Sequence, residues 1–473
     1  MKSLIFYILV FISGSLVAQE SSSEITLSEY LSYVKKYHPI VKQANLVLNE
    51  SEAKLLKSRG AFDPKLEVDY NRKTFKSKEY FDKLNATFKI PTWYGIEFKA
   101  SFEENEGLFL NPEANVPNEG LYSAGVSIPV ARGLLINSRM AVLKQSKLFL
   151  KQAKADRQLL INNILYEATL TYFKWLQSYN EKQAYKEFLT NADIRFNGIK
   201  KSFEAGEVPA IDTLEAKIAL NNRKLNLEKA RIKLIKSALE LSNYLWLNED
   251  TPIEIKDNII PDTNTLETIG NTLNVSDVII DYGDLNNHPK LKSLNYKLKG
   301  LNIEKRLKYN NLLPKIDLQY NFLSQTPELL RSFSTSAYKS GVNISFPLFL
   351  RKERGDLKLT KLKVQDVQFE LKTTEIALKN KIEAIKQEIL SLQQQNKLTS
   401  EIVEDYKTML RAEERKLFLG ESSLFLINSR ESKLIDSKLK AITLENNLLN
   451  ITASFFNILA LSDDPIVNEK RTN

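Results

Sequence analysis

Metal or proton-transfer chemistry would have to start from the chain's two histidines, His38 in "YHPIVKQANL" and His288 in "NHPKLKSLNY". Each precedes a proline, and they lie 250 positions apart. If they converged, they could form two halves of a metal site. Such a site needs further nitrogen, sulfur or oxygen ligands, yet neither histidine has a second one beside it and the chain has no cysteine. Nucleophilic chemistry fares no better. There is no HExxH pair and no phosphate-binding glycine loop, and the adjacent carboxylates Glu103 and Glu104 fall in a charged loop stretch. The residues therefore predict no catalysis, no metal and no cofactor.

The same two dipeptides mark a repeat. At the 250-residue offset Lys42 falls on Lys292, Asn45 on Asn295, Leu48 on Leu298, and Pro64 on Pro314. The register holds past the second proline, where Leu66, Val68 and Tyr70 fall on Ile316, Leu318 and Tyr320. In each copy proline is placed to open a helix, with its fixed φ suited to the first turn. His38 and His288 then occupy one structural position written twice, poised to cap that turn.

After Pro64 and Pro314 the pattern has period two, as in half-buried strands. "KLEVDYN" alternates Leu66, Val68 and Tyr70 with Lys65, Glu67 and Asp69, and "KIDLQYNF" does the same. Four more segments alternate, around residues 84–90, 96–102, 122–128 and 338–346. Each is about ten residues long, the length a tilted strand needs to cross a bilayer. "PTWYG" makes a short turn whose Trp93 and Tyr94 suit a membrane interface. From Pro64 to Pro129 is 65 residues, but from Pro314 to Pro347 only 33, so the first copy carries an extra hairpin.

Between the strand regions lie long stretches almost free of Gly and Pro, 132–203 and 352–418. At ~1.5 Å per residue each would be on the order of 100 Å long. Leu165, Ala168, Tyr172, Trp175 and Tyr179 step by 3 and 4, the spacing of a coiled-coil seam. Val364, Val367, Leu371, Thr374, Leu378, Ile382, Ile385, Ile389 and Leu392 include steps that relax the supercoil. Each long helix ends in a glycine turn, "FEAGEVPAIDT" around Gly206 and "FLGESSLFLIN" around Gly420, and a shorter helix follows.

The 473 residues carry a net charge of +9, but Lys and Arg are interleaved with Glu along the whole chain, as on solvated helix faces, which argues against nucleic acid. Lys2, the apolar run from Leu4 to Phe11 and the small residues before Gln19 read as a signal peptide over 1–18. No uncharged run of about 18 apolar residues follows, so any crossing of a membrane falls to strands.

Taken in order, the chain resembles the TolC-like outer-membrane efflux proteins. The resemblance rests on "TLSEYLSYVKKYHPIVKQA" with "AFDPKLEVDY", on "GDLNNHPKLKSLNYKLKG" with "NLLPKIDLQYNFL", and on the two glycine turns. It implies an α+β membrane protein: a homotrimer sharing one transmembrane β-barrel, continuous with a long α-helical coiled-coil tunnel. It also implies outer-membrane lipid around the barrel, a periplasmic adaptor at the glycine turns, and an inner-membrane pump held through that adaptor. The family commonly has four strands per chain. The extra hairpin here gives either six, hence eighteen in the trimer, or a hairpin outside the barrel wall.

The expected layout is a first repeat over 19–250, with four strands in 65–130, the long helix 132–203 and a helix over 209–248. An equatorial linker over 251–286 leads to a second repeat over 287–460, with two strands in 315–347, the long helix 352–418 and a helix over 423–460; a tail over 461–473 closes the chain. By resemblance, Ala205, Gly206, Glu207, Val208 and Asp212 in one turn, and Leu419, Gly420, Glu421, Ser422 and Ser423 in the other, form the adaptor contact and aperture. Asp212 faces Leu426 across the repeat, and it equally suits a solvated first-turn acid. Glu67, Asp69, Glu97 and Lys99 are expected inside the barrel. The alternatives are the outer-membrane component of type I protein secretion and a periplasmic or surface coiled-coil structural protein.

Overall fold

The computed structural model describes residues 23–248, 251–275, 285–326 and 335–461. The signal peptide and nearly all of the expected tail lie outside them. A short strand β1 (Ser23–Ile25) leads into helices α1 (Leu27–Tyr37) and α2 (Pro39–Arg59), then strands β2 (Lys65–Phe75), β3 (Lys78–Pro91), β4 (Glu97–Glu106) and β5 (Leu121–Pro129). Helices α3 (Ser138–Glu204) and α4 (Ala210–Ser242) follow, then β6 (Ile259–Pro261) and α5 (Thr265–Thr272). The second repeat is α6 (Pro289–Asn310), β7 (Lys315–Ser324), β8 (Tyr338–Ser345), α7 (Arg351–Phe418) and α8 (Leu424–Leu459). Among the described residues no helix is long and apolar enough to cross a membrane.

Both histidines are N-caps. Ile40 N–H donates to His38 Nδ1 at 3.2 Å and Lys290 N–H to His288 Nδ1 at 3.1 Å, with Pro39 and Pro289 opening the helices. Because Nδ1 accepts, the ring proton sits on Nε2, which in His288 donates to the Ile458 carbonyl at 2.9 Å. His38 stacks on Tyr244. Burial pushes both imidazoles below the usual 6.5, so the folded state disfavours their protonation and the unfolded chain binds protons first. The stability this confers is held above pH 6.5 and lost as the pH falls through the folded values. Asparagine caps equally well but does not titrate. A His38→Asn/His288→Asn variant should therefore lose less thermal stability than the wild type between pH 7.5 and 5. Parallel melting curves across that interval would remove the caps as the cause.

Two boundaries differ from the periodicity. The helix expected from residue 132 starts at Ser138, because Asn137 Oδ1 accepts from Met140 N–H at 2.9 Å and Gly133 holds a positive φ of 106°. The preceding residues are instead tied to the strands, with Val130 N–H donating to the Ile316 carbonyl at 2.9 Å. The helix expected to reach 248 stops at Ser242, where the chain turns back so that Ser242 Oγ accepts from Ile255 N–H at 3.1 Å.

The main core sits midway along α3. Leu165, Ala168, Tyr172 and Trp175 are buried there against α1, α8 and the 251–275 segment. That segment is more than a linker: β6 pairs in parallel with β1, and Tyr172 Oη donates to the Ile25 carbonyl at 2.8 Å while accepting from Asp262 N–H at 3.1 Å. On α7, Val364, Val367, Leu378, Ile382, Ile385, Ile389 and Leu392 are buried along one stripe.

Candidate functional site

The glycine turns close in the same way. Gly206 N–H donates to the Phe203 carbonyl and Glu207 N–H to that of Ser202, each at 2.9 Å. Gly420 N–H donates to the Leu417 carbonyl at 3.0 Å and Glu421 N–H to that of Lys416 at 2.9 Å. Each is a Schellman closure with glycine in the left-handed region, at φ +78° and +80°. The helices that follow start differently: Ser423 caps α8, whereas Pro209 leads α4 with no side-chain cap and Asp212 lies in its first turn. Ser422 Oγ donates to Glu413 at 2.6 Å. Ala205, Gly206 and Glu207 are exposed, Val208 is half-buried, and Leu419 and Phe418 stand out into solvent.

A buried ion cluster lies above the turns. The Glu431 carboxylate on α8, fully buried, accepts from Arg195 of α3 at 3.0 Å and from Arg223 of α4 at 3.2 Å. Arg195 also reaches Glu414 of α7 at 3.4 Å. All four long helices meet here, so the two helical hairpins are tied together by charge. Periodicity alone passed over this cluster. Its signal was legible: Glu431 falls between Ile427 and Leu434 on the buried stripe of α8.

Strands β2, β3, β4, β5, β7 and β8 form one antiparallel sheet in that order, so every hairpin lies within it. Its two faces are chemically opposite. Leu66, Phe88, Ala100, Val126, Leu318 and Val342 share the apolar face, while Glu67, Asp69, Glu97 and Lys99 share the polar one. Glu67 pairs with Lys89, and Glu97 with Arg139 of α3. The "PTWYG" turn lies at the helical end, since Asn137 Nδ2 donates to the Trp93 carbonyl at 2.9 Å. Of its two rings only Tyr94 is exposed; Trp93 stacks on Phe62 and lies under Lys144. Among the described residues no group of three or more His, Cys, Asp or Glu side chains could hold a metal ion.

The same two edges of the molecule are left open at every level. The sheet ends at β2 and β8. Beside it the helices pack in the order α2, α3, α6, α7, and nearer the turns in the order α4, α3, α8, α7. Helix α4 exposes Ile211, Leu214, Ile218, Leu225, Ile232 and Leu239 in a heptad stripe, and α7 exposes Leu362, Phe369, Ile376 and Leu390.

A long helical hairpin pair continuous with a two-faced sheet is also the architecture of solved outer-membrane channels. The chain is similar to the CmeC outer membrane channel of Campylobacter jejuni, at 14% identity over 92% of this chain and 85% of that one, with a TM-score of 0.63. It is also similar to the open state of the MtrE outer membrane channel of Neisseria gonorrhoeae, at 13% identity, 92% and 88% coverage and a TM-score of 0.63. The outer membrane protein VceC of Vibrio cholerae aligns at 11% identity, 92% and 96% coverage and a TM-score of 0.64. At these identities the likeness is one of fold. No curated protein sequence matches the chain. Residues 284–460, the whole second repeat, match the family described as outer membrane efflux protein. That match spans the second repeat alone, and the fold of the whole chain is the one seen in these three outer membrane proteins.

Proposed function

We propose that three copies close into one β-barrel and one helical tunnel, and that solutes delivered by an inner-membrane pump leave through it. The observation that carries this reading is the repeated open edge. Strand β8 and helix α7 on one side, and β2, α2 and α4 on the other, each have an outer flank that no element packs against among the described residues. Unlike edges join head to tail, and such contacts make a closed ring when the rotation closes. An exposed strand edge is also a hazard unless another strand covers it. Six strands per copy give eighteen in the ring, with the apolar face against lipid and the polar face lining the lumen.

The glycine-turn end is the docking end for a periplasmic adaptor, which in turn holds the pump. Ala205, Gly206, Glu207, Val208 and Asp212, with Leu419, Gly420, Glu421, Ser422 and Ser423, form that tip and the aperture between copies. Exposed Phe203, Ile211, Phe418, Leu419 and Phe425 give it apolar anchors of the kind interfaces bury. A photo-crosslinking residue at Leu419 should capture a periplasmic protein in intact cells, whereas one at Tyr94 should not. Capture at Tyr94 alone would place docking elsewhere.

A further inference from the structure

One rung of the sheet crosses all six strands on the polar face. Lys65 lies opposite Lys89, Lys89 opposite Lys99, Lys99 opposite Gly125, Gly125 opposite Asn321, and Asn321 opposite Lys339. Like charges directly opposite each other on neighbouring strands destabilise a sheet. Three lysines in direct succession, with a fourth further along and no acid on the rung, are therefore a costly arrangement for the fold alone.

The flanking rungs neutralise one of the four, Lys89, through Glu67. One reads Glu67, Thr87, Ser101, Ser123, Leu323 and the other Pro91, Glu97, Ser127, Gln319, Gly341. Their two carboxylates are already engaged, Glu67 by Lys89 and Glu97 by Arg139. Asp317, one rung further on, is paired with Lys315 at 3.2 Å. Asp69 and Glu103 lie two rungs away on the other side. Among the described residues Lys65, Lys99 and Lys339 are left without an ion-pair partner. A cleft of about 420 Å³ at the sheet's helical end is lined by four cations, Lys99, Arg132, Arg139 and Lys315, against two carboxylates, Glu97 and Asp317, which are themselves paired with Arg139 and Lys315.

We propose that this rung is an anion track: the lumen attracts acidic solutes, those bearing carboxylate, phosphate or sulfonate groups, along a line of lysines. The inference rests on the polar face lining the lumen. Strands in a closed barrel tilt by ~35–45°, so a line perpendicular to them climbs the wall obliquely, from Lys65 beside the helices towards Lys339. A wall with an excess of one sign of charge raises the local concentration of the opposite ion by ~10-fold or more.

The chain has no cysteine, so a single introduced thiol reports on its own surroundings. Gln319→Cys lies beside the rung on the polar face, and Val342→Cys lies on the apolar face. Each would be reacted in intact membranes with an anionic sulfonatoethyl and a cationic trimethylammonioethyl methanethiosulfonate, with rates normalised to free cysteine. Gln319→Cys should favour the anionic reagent by ~10-fold at low salt, less at high salt. The preference should vanish when Lys65→Gln, Lys99→Gln and Lys339→Gln are added, a change that relieves repulsion and leaves the trimer heat-stable. Reaction at Gln319→Cys without charge preference, or a preference that survives the three lysine changes, overturns the track. Reaction at Val342→Cys with none at Gln319→Cys reverses the faces, which sinks the lumen reading and the track with it.

Discussion

Replacing Glu431 with glutamine lowers the stability of the helical hairpins by about 3 kcal/mol, the low end of what removing one partner from a buried ion pair costs. The low end applies because the Arg195 and Arg223 side chains keep 13% and 10% of their exposure, and Arg195 still has Glu414. The lost carboxylate leaves two guanidinium groups facing each other across α3, α4 and α8. Hydrogen exchange should quicken in 190–230 and 410–440 and stay unchanged in the core around Tyr172. Filling the site with Arg195→Met, Arg223→Met and Glu431→Leu together should restore most of the loss, since apolar replacement of a whole buried cluster is often neutral or better. A Glu431→Gln variant with wild-type exchange in both hairpins would show that the cluster does not hold them together.

The second large effect is on assembly. Leu225→Asp with Ile232→Asp on α4 should abolish the heat-modifiable trimer while leaving the helix content of the single chain intact. Both residues are exposed in one copy, at 54% and 40%. Burying an aliphatic side chain is worth ~1.5–3 kcal/mol, so two of them repeated at every contact of a ring outweigh any single polar pair. Lys224→Asp, exposed and about a quarter turn away from that stripe on the same helix, is the control. If the Leu225→Asp/Ile232→Asp protein still runs as a heat-stable trimer, α4 is not an edge of the ring.

Much of this was legible in the chain because periodicity reports burial directly. The period-two runs after Pro64 and Pro314 are the strands of the sheet, and the His-Pro offset marks two helices that start with the same cap. Glycine supplied the turns, since little else tolerates the left-handed region they need. Helix ends were less legible: Asn137 and Ser242 act through single hydrogen bonds that a periodic pattern does not register. The lysine rung was hidden for another reason. Its members are scattered from 65 to 339 in sequence, and only the pairing register of five neighbouring strand pairs brings them into line. Trp93 carries a similar lesson, because an aromatic in a turn can serve lipid or the protein, and its stacking on Phe62 is a tertiary fact.

The unequal hairpins of the two repeats bear on the bore of the pipe. Six strands spaced ~4.8 Å apart and tilted by ~40° span roughly 38 Å of circumference. The four helices beside them, α2, α3, α6 and α7, at ~9–10 Å between axes span roughly 36–40 Å. Sheet and helices therefore subtend the same arc, and the wall passes from one to the other without a taper. Four strands would cover only about two thirds of that arc. In the proposed trimer the added hairpin thus matches two kinds of wall to one perimeter, so that a solute which fits through the helical tunnel would meet no narrowing of the wall where it enters the barrel.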